Sequence, residues 1–398
     1  MGNVLRPALW CVSIIAASAI AFGQRVPLDV ITTRYYSLHS DLDAAALREA
    51  RLRIDLMAEE YAARTRGFAG AINSKLPVYF FKNREDYSDA GGTRNAVGTF
   101  TGDRLLIWAG GDAGPMTWRV MQHEGFHQFS RAVIGGQLPP WVEEGLAEYF
   151  GDAVFTGDVY ITGCVSPPRL AHLRYLMKEE KLPPLKRIMT TDREIWNTHV
   201  TSGSADAGPN YQLAWSMVYF LAQADKGRYR AAFDRFIRET ARGQSWETVW
   251  RDAFGSSVDE FEQRWGEYWR GQPDNPTKAL YAQATVATMT SYLARAVSRK
   301  QQFEDATEFF DAARAGKLES HPDDWLPPAL LERELPRIVD AGEWTIERRT
   351  GQIRLVCEPP DAGGAKLVGT FQIDGGRVKP GSVAVTREAG PRIRTGGK

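Results

Sequence analysis

The stretch that decides the fold is "MQHEGFHQF", Met121–Phe129, in which two histidines stand four residues apart and a glutamate follows the first. On an α-helix, positions i and i+4 project from one face about one turn apart. His123 and His127 can therefore both reach one metal ion, and Glu124 lies beside the open coordination position. The stretch predicts a metal-binding helix over about residues 115–133. A histidine pair satisfied within an ordinary amphipathic helix is the alternative.

The segment "LPPWVEEGLAEYF", Leu138–Phe150, supplies carboxylates for the same ion. Pro140 suits the first position of a helix, on which Glu144 and Glu148 then share one face. A catalytic zinc needs three protein ligands and an open fourth position. A second helix with two carboxylates opposite the two histidines would therefore supply both a ligand and an orienting partner, and either carboxylate could contact the ion. The alternative for each is a solvated helix glutamate. Glu143 is expected to face solvent.

Together, "HEGFH" and "WVEEGLAEYF" resemble the gluzincin zinc metallopeptidases, which include thermolysin and the leukotriene-hydrolase-type aminopeptidases. In that family a second helix carries a glutamate ligand, matched by Glu144, and an acidic residue four positions later, matched by Glu148, supports the first histidine. The loop between His127 and Glu144 is shorter than in the two named groups. The resemblance covers roughly residues 26–270 and is closer still to poorly characterised exported bacterial proteins with a peptidase-like gluzincin domain. It implies bound Zn²⁺ and hydrolysis of peptide bonds.

Two further segments resemble parts of this family. "NYQLAWSMVYFL", Asn210–Leu221, is similar to the aminopeptidase segment Tyr-x-Lys-Gly, without its Lys-Gly pair. Tyr211 takes the place of the tyrosine that stabilises the oxyanion, with core packing as the alternative; His199 is a second candidate for that role. "NAVGTF", Asn95–Phe100, resembles the thermolysin-type edge strand, which can hold an extended peptide by main-chain pairing; a plain structural hairpin is the alternative.

The function expected from these residues is an exported zinc peptidase acting on peptides or proteins. Exopeptidases of this clan bind the free α-amine with a glutamate near the edge strand, and Asn95–Phe100 contains no acid, which favours an endopeptidase over an aminopeptidase. A non-catalytic zinc-containing module of the cell envelope is the other alternative, with the region 278–398 recognising a partner that the sequence does not identify. The 49 basic and 49 acidic residues give zero net charge, which offers no support for a nucleic-acid partner.

The N-terminus has the pattern of a secretory signal peptide. Arg6 precedes the apolar run Ala8–Ala21, and small residues continue to Gly23, near which cleavage is expected. The run is short for a membrane span, and no later apolar run is long enough for one, so we expect a periplasmic or extracellular mature chain without a transmembrane segment. Export would permit a disulfide between Cys164 and Cys357, and two separate buried thiols are the alternative.

The expected fold class is α+β, with a zincin-like catalytic domain. A strand at Lys75–Phe81 and a hairpin of Asn95–Phe100 and Arg104–Gly110 indicate an N-terminal mixed sheet with an edge strand. Pro140–Arg270 is mainly helical in pattern, with a Ser-, Gly- and Asp-rich loop at 190–210. The expected divisions are a signal peptide, a gluzincin-like metallopeptidase domain, a helical extension, a small β unit and a disordered tail, at residues 1–23, 24–272, 278–340, 341–390 and 391–398.

Overall fold

The computed structural model describes residues 28–110, 113–135, 137–201, 207–349, 351–360 and 363–387. These residues form a mixed α+β structure that divides into two compact units. Within the described residues, the first unit comprises 28–153 and 165–276, and the second comprises 154–164 and the residues from 277 onward. The expected signal peptide and C-terminal tail lie outside the described residues.

The first unit contains a five-stranded mixed sheet. Its strands are β1 (Asp29–Thr32), β2 (Tyr36–Ser40), β3 (Leu76–Phe81), β4 (Gly98–Phe100) and β5 (Leu105–Trp108). The spatial order is β1-β2-β3-β5-β4, with β3 parallel to β2 and to β5 and the outer pairs antiparallel. The strand at 75–81 and the hairpin are therefore confirmed, and β4 lies at the edge of the sheet.

Four helices accompany this sheet, and two of them carry the sequence motifs. They are α1 (Ala44–Arg64), α2 (Arg84–Asp89), α3 (Pro115–Val133) and α4 (Pro140–Gly151). Both α3 and α4 begin with proline, and Pro140 of α4 was expected there, because proline at the first helical position has its φ preset and needs no hydrogen bond for its missing N–H. The bounds predicted for the helix that carries the two histidines, 115–133, are confirmed.

Seven further helices complete the first unit. They are α5 (Pro167–Lys178), α6 (Leu185–Thr190), α7 (Arg193–Thr201), α8 (Ala207–Gly227), α9 (Arg230–Ala241), α10 (Trp246–Phe254) and α11 (Val258–Gly271). The predicted loop at 190–210 was wrong for Arg193–Thr201 and from residue 207 onward, which form α7 and the start of α8, whereas residues 202–206 lie outside the described residues. Trp196 of α7 is 1% exposed and packs against Tyr211, and this packing stabilises the short helix.

The second unit combines helices with a four-stranded antiparallel sheet. Its elements are β6 (Val154–Phe155), β7 (Tyr160–Ile161), α12 (Lys278–Ser298), α13 (Ala306–Arg314), α14 (Pro328–Glu334), α15 (Arg337–Ala341), β8 (Glu343–Arg349), β9 (Gln352–Glu358), β10 (Ala365–Asp374) and β11 (Arg377–Arg387). The sheet order is β11-β10-β9-β8, and Val286 of α12 packs with Leu367 and Cys357 in its core. Cys164 and Cys357 are buried as two separate thiols, so the disulfide alternative is not realised. None of the described helices combines the length and apolar character that a membrane crossing requires.

Candidate metal centre

The two motif helices bring the predicted ligands together in the interior of the first unit. On α3, His123 and Glu124 are 0% exposed and His127 is 3% exposed. On α4, Glu144 is 1% and Glu148 is 2% exposed. Five ionisable side chains with this degree of burial need partners, because an uncompensated charge is costly to remove from water.

Three of these side chains point their ligand atoms at one position. The Nε2 atoms of His123 and His127 are 3.2 Å apart, and Oε2 of Glu144 lies 3.5 and 3.4 Å from them. A tetrahedral ion with bonds of about 2.0–2.1 Å would separate neighbouring ligand atoms by about 3.3 Å. The triangle therefore has the size that a tetrahedral metal ion requires, and the three residues form a possible metal-binding triad.

An unsatisfied oxygen supports the fit. Oε2 of Glu144 is buried and has no partner in hydrogen-bonding geometry among the described residues. Leaving such an acceptor unsatisfied typically costs about 1–3 kcal/mol, and more for a charged group. A cation between the two imidazoles and the carboxylate would satisfy that oxygen and both facing nitrogen lone pairs.

Glu148 lies on the far side of His123, where the sequence predicted an orienting partner. Its Oε1 is 3.1 Å from Nδ1 of His123, and its Oε2 accepts hydrogen bonds from Arg119 and Arg169, each at 2.8 Å. Burial alone would raise the pKa of Glu148, but the two guanidinium charges and His123 hold it well below its usual value. The carboxylate is therefore ionised and can direct Nε2 of His123 toward the triad.

Glu143 also contacts the site, so its expected exposure to solvent was wrong. Its side chain is 13% exposed, with Oε1 located 3.4 Å from Nδ1 of His127. Oε2 accepts a short hydrogen bond from Arg193, the first residue of α7. Burial would raise the pKa of Glu143, but contact with His127 and the charge of Arg193 lower it. No local pattern in the sequence connects Glu143 with a residue on a helix so far along the chain.

Glu124 is anchored to the edge strand. Its Oε2 accepts a 2.9 Å hydrogen bond from the backbone N–H of Phe100 in β4. Burial raises the pKa of Glu124, and the opposing charges of His123 and His127 reduce this effect only in part. A carboxyl group with a raised pKa next to two imidazoles is suited both to accept and to donate a proton.

Tyr211 of α8 packs beside the histidines. Its ring centroid is 6.3 Å from that of His123 and 5.5 Å from that of Trp196. Burial, followed by the negative charge of Glu144, raises the pKa of Tyr211 well above its usual value, so the hydroxyl stays protonated and can donate. His199, the other candidate, has Nδ1 3.4 Å from the amide nitrogen of Asn210 at the start of α8.

The field around the histidines favours a cation. Burial would lower the pKa of His123, but the carboxylates of Glu144 and Glu148 raise it to about 9. The pKa of His127 is also raised well above its usual value, against the effect of burial, by Glu144 and Glu143. Without a metal, the site stabilises positive charge on its own histidines, so a bound divalent cation would meet the same favourable field.

Two adjacent helices, one presenting His-x-x-x-His and the other a glutamate, define a candidate metal centre. A family model described as "Protein of unknown function (DUF1570)" matches residues 119–247, a span that contains the triad, Glu124 and Tyr211. The comparison with curated proteins gives no significant match, and neither does the comparison with solved structures.

Proposed function

We propose that the chain is a zinc-dependent peptidase of the gluzincin type with a zincin-like catalytic domain. His123, His127 and Glu144 would hold the ion, since two imidazoles and one carboxylate form a common donor set of catalytic zinc. The observation that carries the proposal is the 3.2–3.5 Å triangle of ligand atoms, with Glu124 following the first histidine on the same helix. Three protein ligands leave a tetrahedral ion one position for water or substrate.

Glu124 is the general base in this proposal. When bound, Zn²⁺ would act as a Lewis acid on a substrate carbonyl and lower the pKa of water. The Glu124 carboxylate accepts a proton from the attacking water and later delivers it to the leaving amine. Its hydrogen bond from Phe100 occupies one oxygen and restricts rotation of the carboxylate. The protonated hydroxyl of Tyr211 donates to the developing oxyanion.

The edge strand β4 supports a peptide as substrate. The N–H of Trp108 in β5 donates to the carbonyl oxygen of Val97, and the N–H of Thr101 donates to that of Arg104, just before β5. Because hydrogen-bonded and non-hydrogen-bonded pairs alternate along antiparallel strands, the N–H and C=O groups of Gly98 and Phe100 point away from β5. The Phe100 N–H already reaches Glu124 in this direction. An extended peptide paired along this edge would lie beside the proposed base, and because Gly98–Phe100 are buried it would have to displace the residues that cover them. The absence of an acid in Asn95–Phe100 supports internal peptide bonds as the target.

A non-catalytic metal module is a second candidate, and burial is the observation that favours it. The three triad residues are 0–3% exposed, as in closed structural sites. A structural ion has no need of a base, so the variant Glu124→Gln separates the two candidates. Export of the mature chain to the periplasm or the cell exterior is part of the proposal for either candidate.

The experiment compares three zinc-loaded proteins in a peptide-library digest: wild type, Glu124→Gln and the control Glu194→Gln, which removes an exposed carboxylate from α7. We expect about one zinc per chain in all three, with cleavage by wild type and control and none by Glu124→Gln. Equal cleavage by all three would remove Glu124 from the mechanism, and no cleavage by zinc-loaded wild type would favour the structural module. Peptides with blocked and free N-termini distinguish an endopeptidase from an aminopeptidase.

A further inference from the structure

The two histidines of the triad have unequal supports. On the His123 side, Glu148 accepts hydrogen bonds from Arg119 of α3 and Arg169 of α5. Asp152 accepts hydrogen bonds from the same two arginines, at 3.2 and 2.6 Å. The Glu148 side chain is 2% exposed and that of Arg169 is 8% exposed. Two carboxylates and two guanidinium groups thus form a network that fixes Glu148 through several contacts, and Oε1 of Glu148 lies 3.1 Å from Nδ1 of His123.

On the His127 side, the support depends on one guanidinium. Among the described residues, the hydrogen bonds that reach the Glu143 carboxylate come from Arg193 and His127. The Arg193 side chain is 28% exposed, and it also donates to the carbonyl oxygen of Leu138 at 3.2 Å, just before α4. This side of the triad is therefore less buried and has fewer contacts than the side supported by Glu148.

The residue that supports Glu143 belongs to a helix that also packs on the proposed oxyanion donor. Arg193 is the first residue of α7, and Trp196, less than one turn later, packs edge-on against Tyr211. The same helix exposes Ile195 to 48%. Docking of α7 thus places Arg193 on the Glu143 carboxylate, which contacts His127, and Trp196 on Tyr211. Displacement of α7 would remove both contacts together.

We propose that Arg193 is a positioning residue, which acts through Glu143 to fix the His127 ring and makes metal retention depend on the docking of α7. This inference rests on the metal centre of the proposed function. With Arg193 in place, Glu143 holds its oxygen at Nδ1 of His127 and keeps Nε2 directed at the triad. Without it, the Glu143 carboxylate and the imidazole are free to turn, whereas His123 remains fixed by Glu148. When the metal leaves, His127 is the ligand that detaches first.

The test measures zinc release from the full mature chain into excess chelator, with no peptide substrate present. Arg193→Gln should release zinc about 10–100-fold faster than wild type, the usual effect of losing a group that orients a ligand. Arg193→Lys should restore part of the retention, because lysine keeps the charge but not the planar fork. The neighbour Glu194→Gln, exposed on the same helix, is the matched control and should match wild type.

A double-mutant cycle shows whether Arg193 acts through Glu143. Glu143→Gln alone should also release zinc faster, and adding Arg193→Gln to it should cause little further change, because the two residues belong to one chain of contacts. The visible spectrum of the Co²⁺-loaded protein should change in both single variants if the His127 ring is displaced.

Three results would overturn this inference: release from Arg193→Gln at the wild-type rate, multiplicative effects of the two substitutions, or an unchanged Co²⁺ spectrum. If wild type binds zinc but cleaves no peptide, the peptidase proposal fails, and the release measurements still decide the role of Arg193.

Discussion

Of the substitutions Glu144→Gln and Glu148→Gln, the first should cause the larger loss of metal affinity and the second the larger loss of stability. Oε2 of Glu144 forms one corner of the triad, so we expect Glu144→Gln to purify nearly free of zinc and inactive. Glu148 contacts the remote nitrogen of His123, so Glu148→Gln should keep metal at high zinc concentration with about 10–100-fold lower affinity. This loss corresponds to about 1.4–2.7 kcal/mol.

In the metal-free state, the stabilities of the two variants should differ in the reverse order, with Glu148→Gln the less stable. Removing the charge of Glu148 leaves Arg119 and Arg169 to share Asp152, and breaking a buried ion pair in this way typically costs about 3–5 kcal/mol. Among the described residues, Glu144 has no arginine hydrogen-bonded or ion-paired to it; its partners are His123 and His127, which can lose their protons when the carboxylate is removed, whereas an arginine cannot. We therefore expect Glu148→Gln to lower the free energy of unfolding of the metal-free protein much more than Glu144→Gln does.

Chelator competition gives the zinc affinities, and urea unfolding of the metal-free proteins gives the stabilities. The two assays together separate a lost ligand from a lost support. If Glu148→Gln loses zinc more completely than Glu144→Gln, the two roles must be exchanged, and the ion would lie one helical turn further along α4.

Three further predictions follow from individual side chains. The pKa of His123 rises from 6.5 to about 9 on folding without metal, so the stability that His123 contributes is complete below pH 6.5 and is lost as the pH rises through 9. The urea midpoint of the metal-free protein should therefore fall over that pH range, and a midpoint that does not change with pH would contradict this prediction. Tyr211→Phe should lower kcat by roughly 10²–10³ with little change in KM, whereas a loss of thermal stability alone would assign Tyr211 to the core. Gly145→Ala would place a Cβ 2.5 Å from the carbonyl oxygen of Ala214, and should destabilise the protein by about 1–3 kcal/mol in urea unfolding; wild-type stability would show that α4 and α8 can move apart.

Much of the metal centre follows from local sequence patterns. Proline at the first position of α3 and of α4 fixes where these helices begin. The i, i+4 spacing then places His123 with His127, and Glu144 with Glu148, on single faces. These features depend on residues within one or two helical turns, so one sequence is enough to predict them.

The parts that could not be predicted depend on contacts between distant residues. Glu143 was assigned to solvent because nothing near it in sequence indicates that Arg193 would hold it. The helix α7 was included in a predicted loop because the stretch that follows it is rich in Ser, Gly and Asp, whereas burial of Trp196 against Tyr211 stabilises a helix there. The placement of residues 154–164 in the second unit likewise has no signal in the local sequence.

The most direct test of the central claim, that His123, His127 and Glu144 hold zinc, is X-ray absorption at the zinc edge on the purified mature protein. We expect about one zinc per chain with nitrogen and oxygen ligands at about 2.0–2.1 Å, two of them imidazoles. Absence of stoichiometric metal after loading, or a sulfur ligand at about 2.3 Å, would contradict the account.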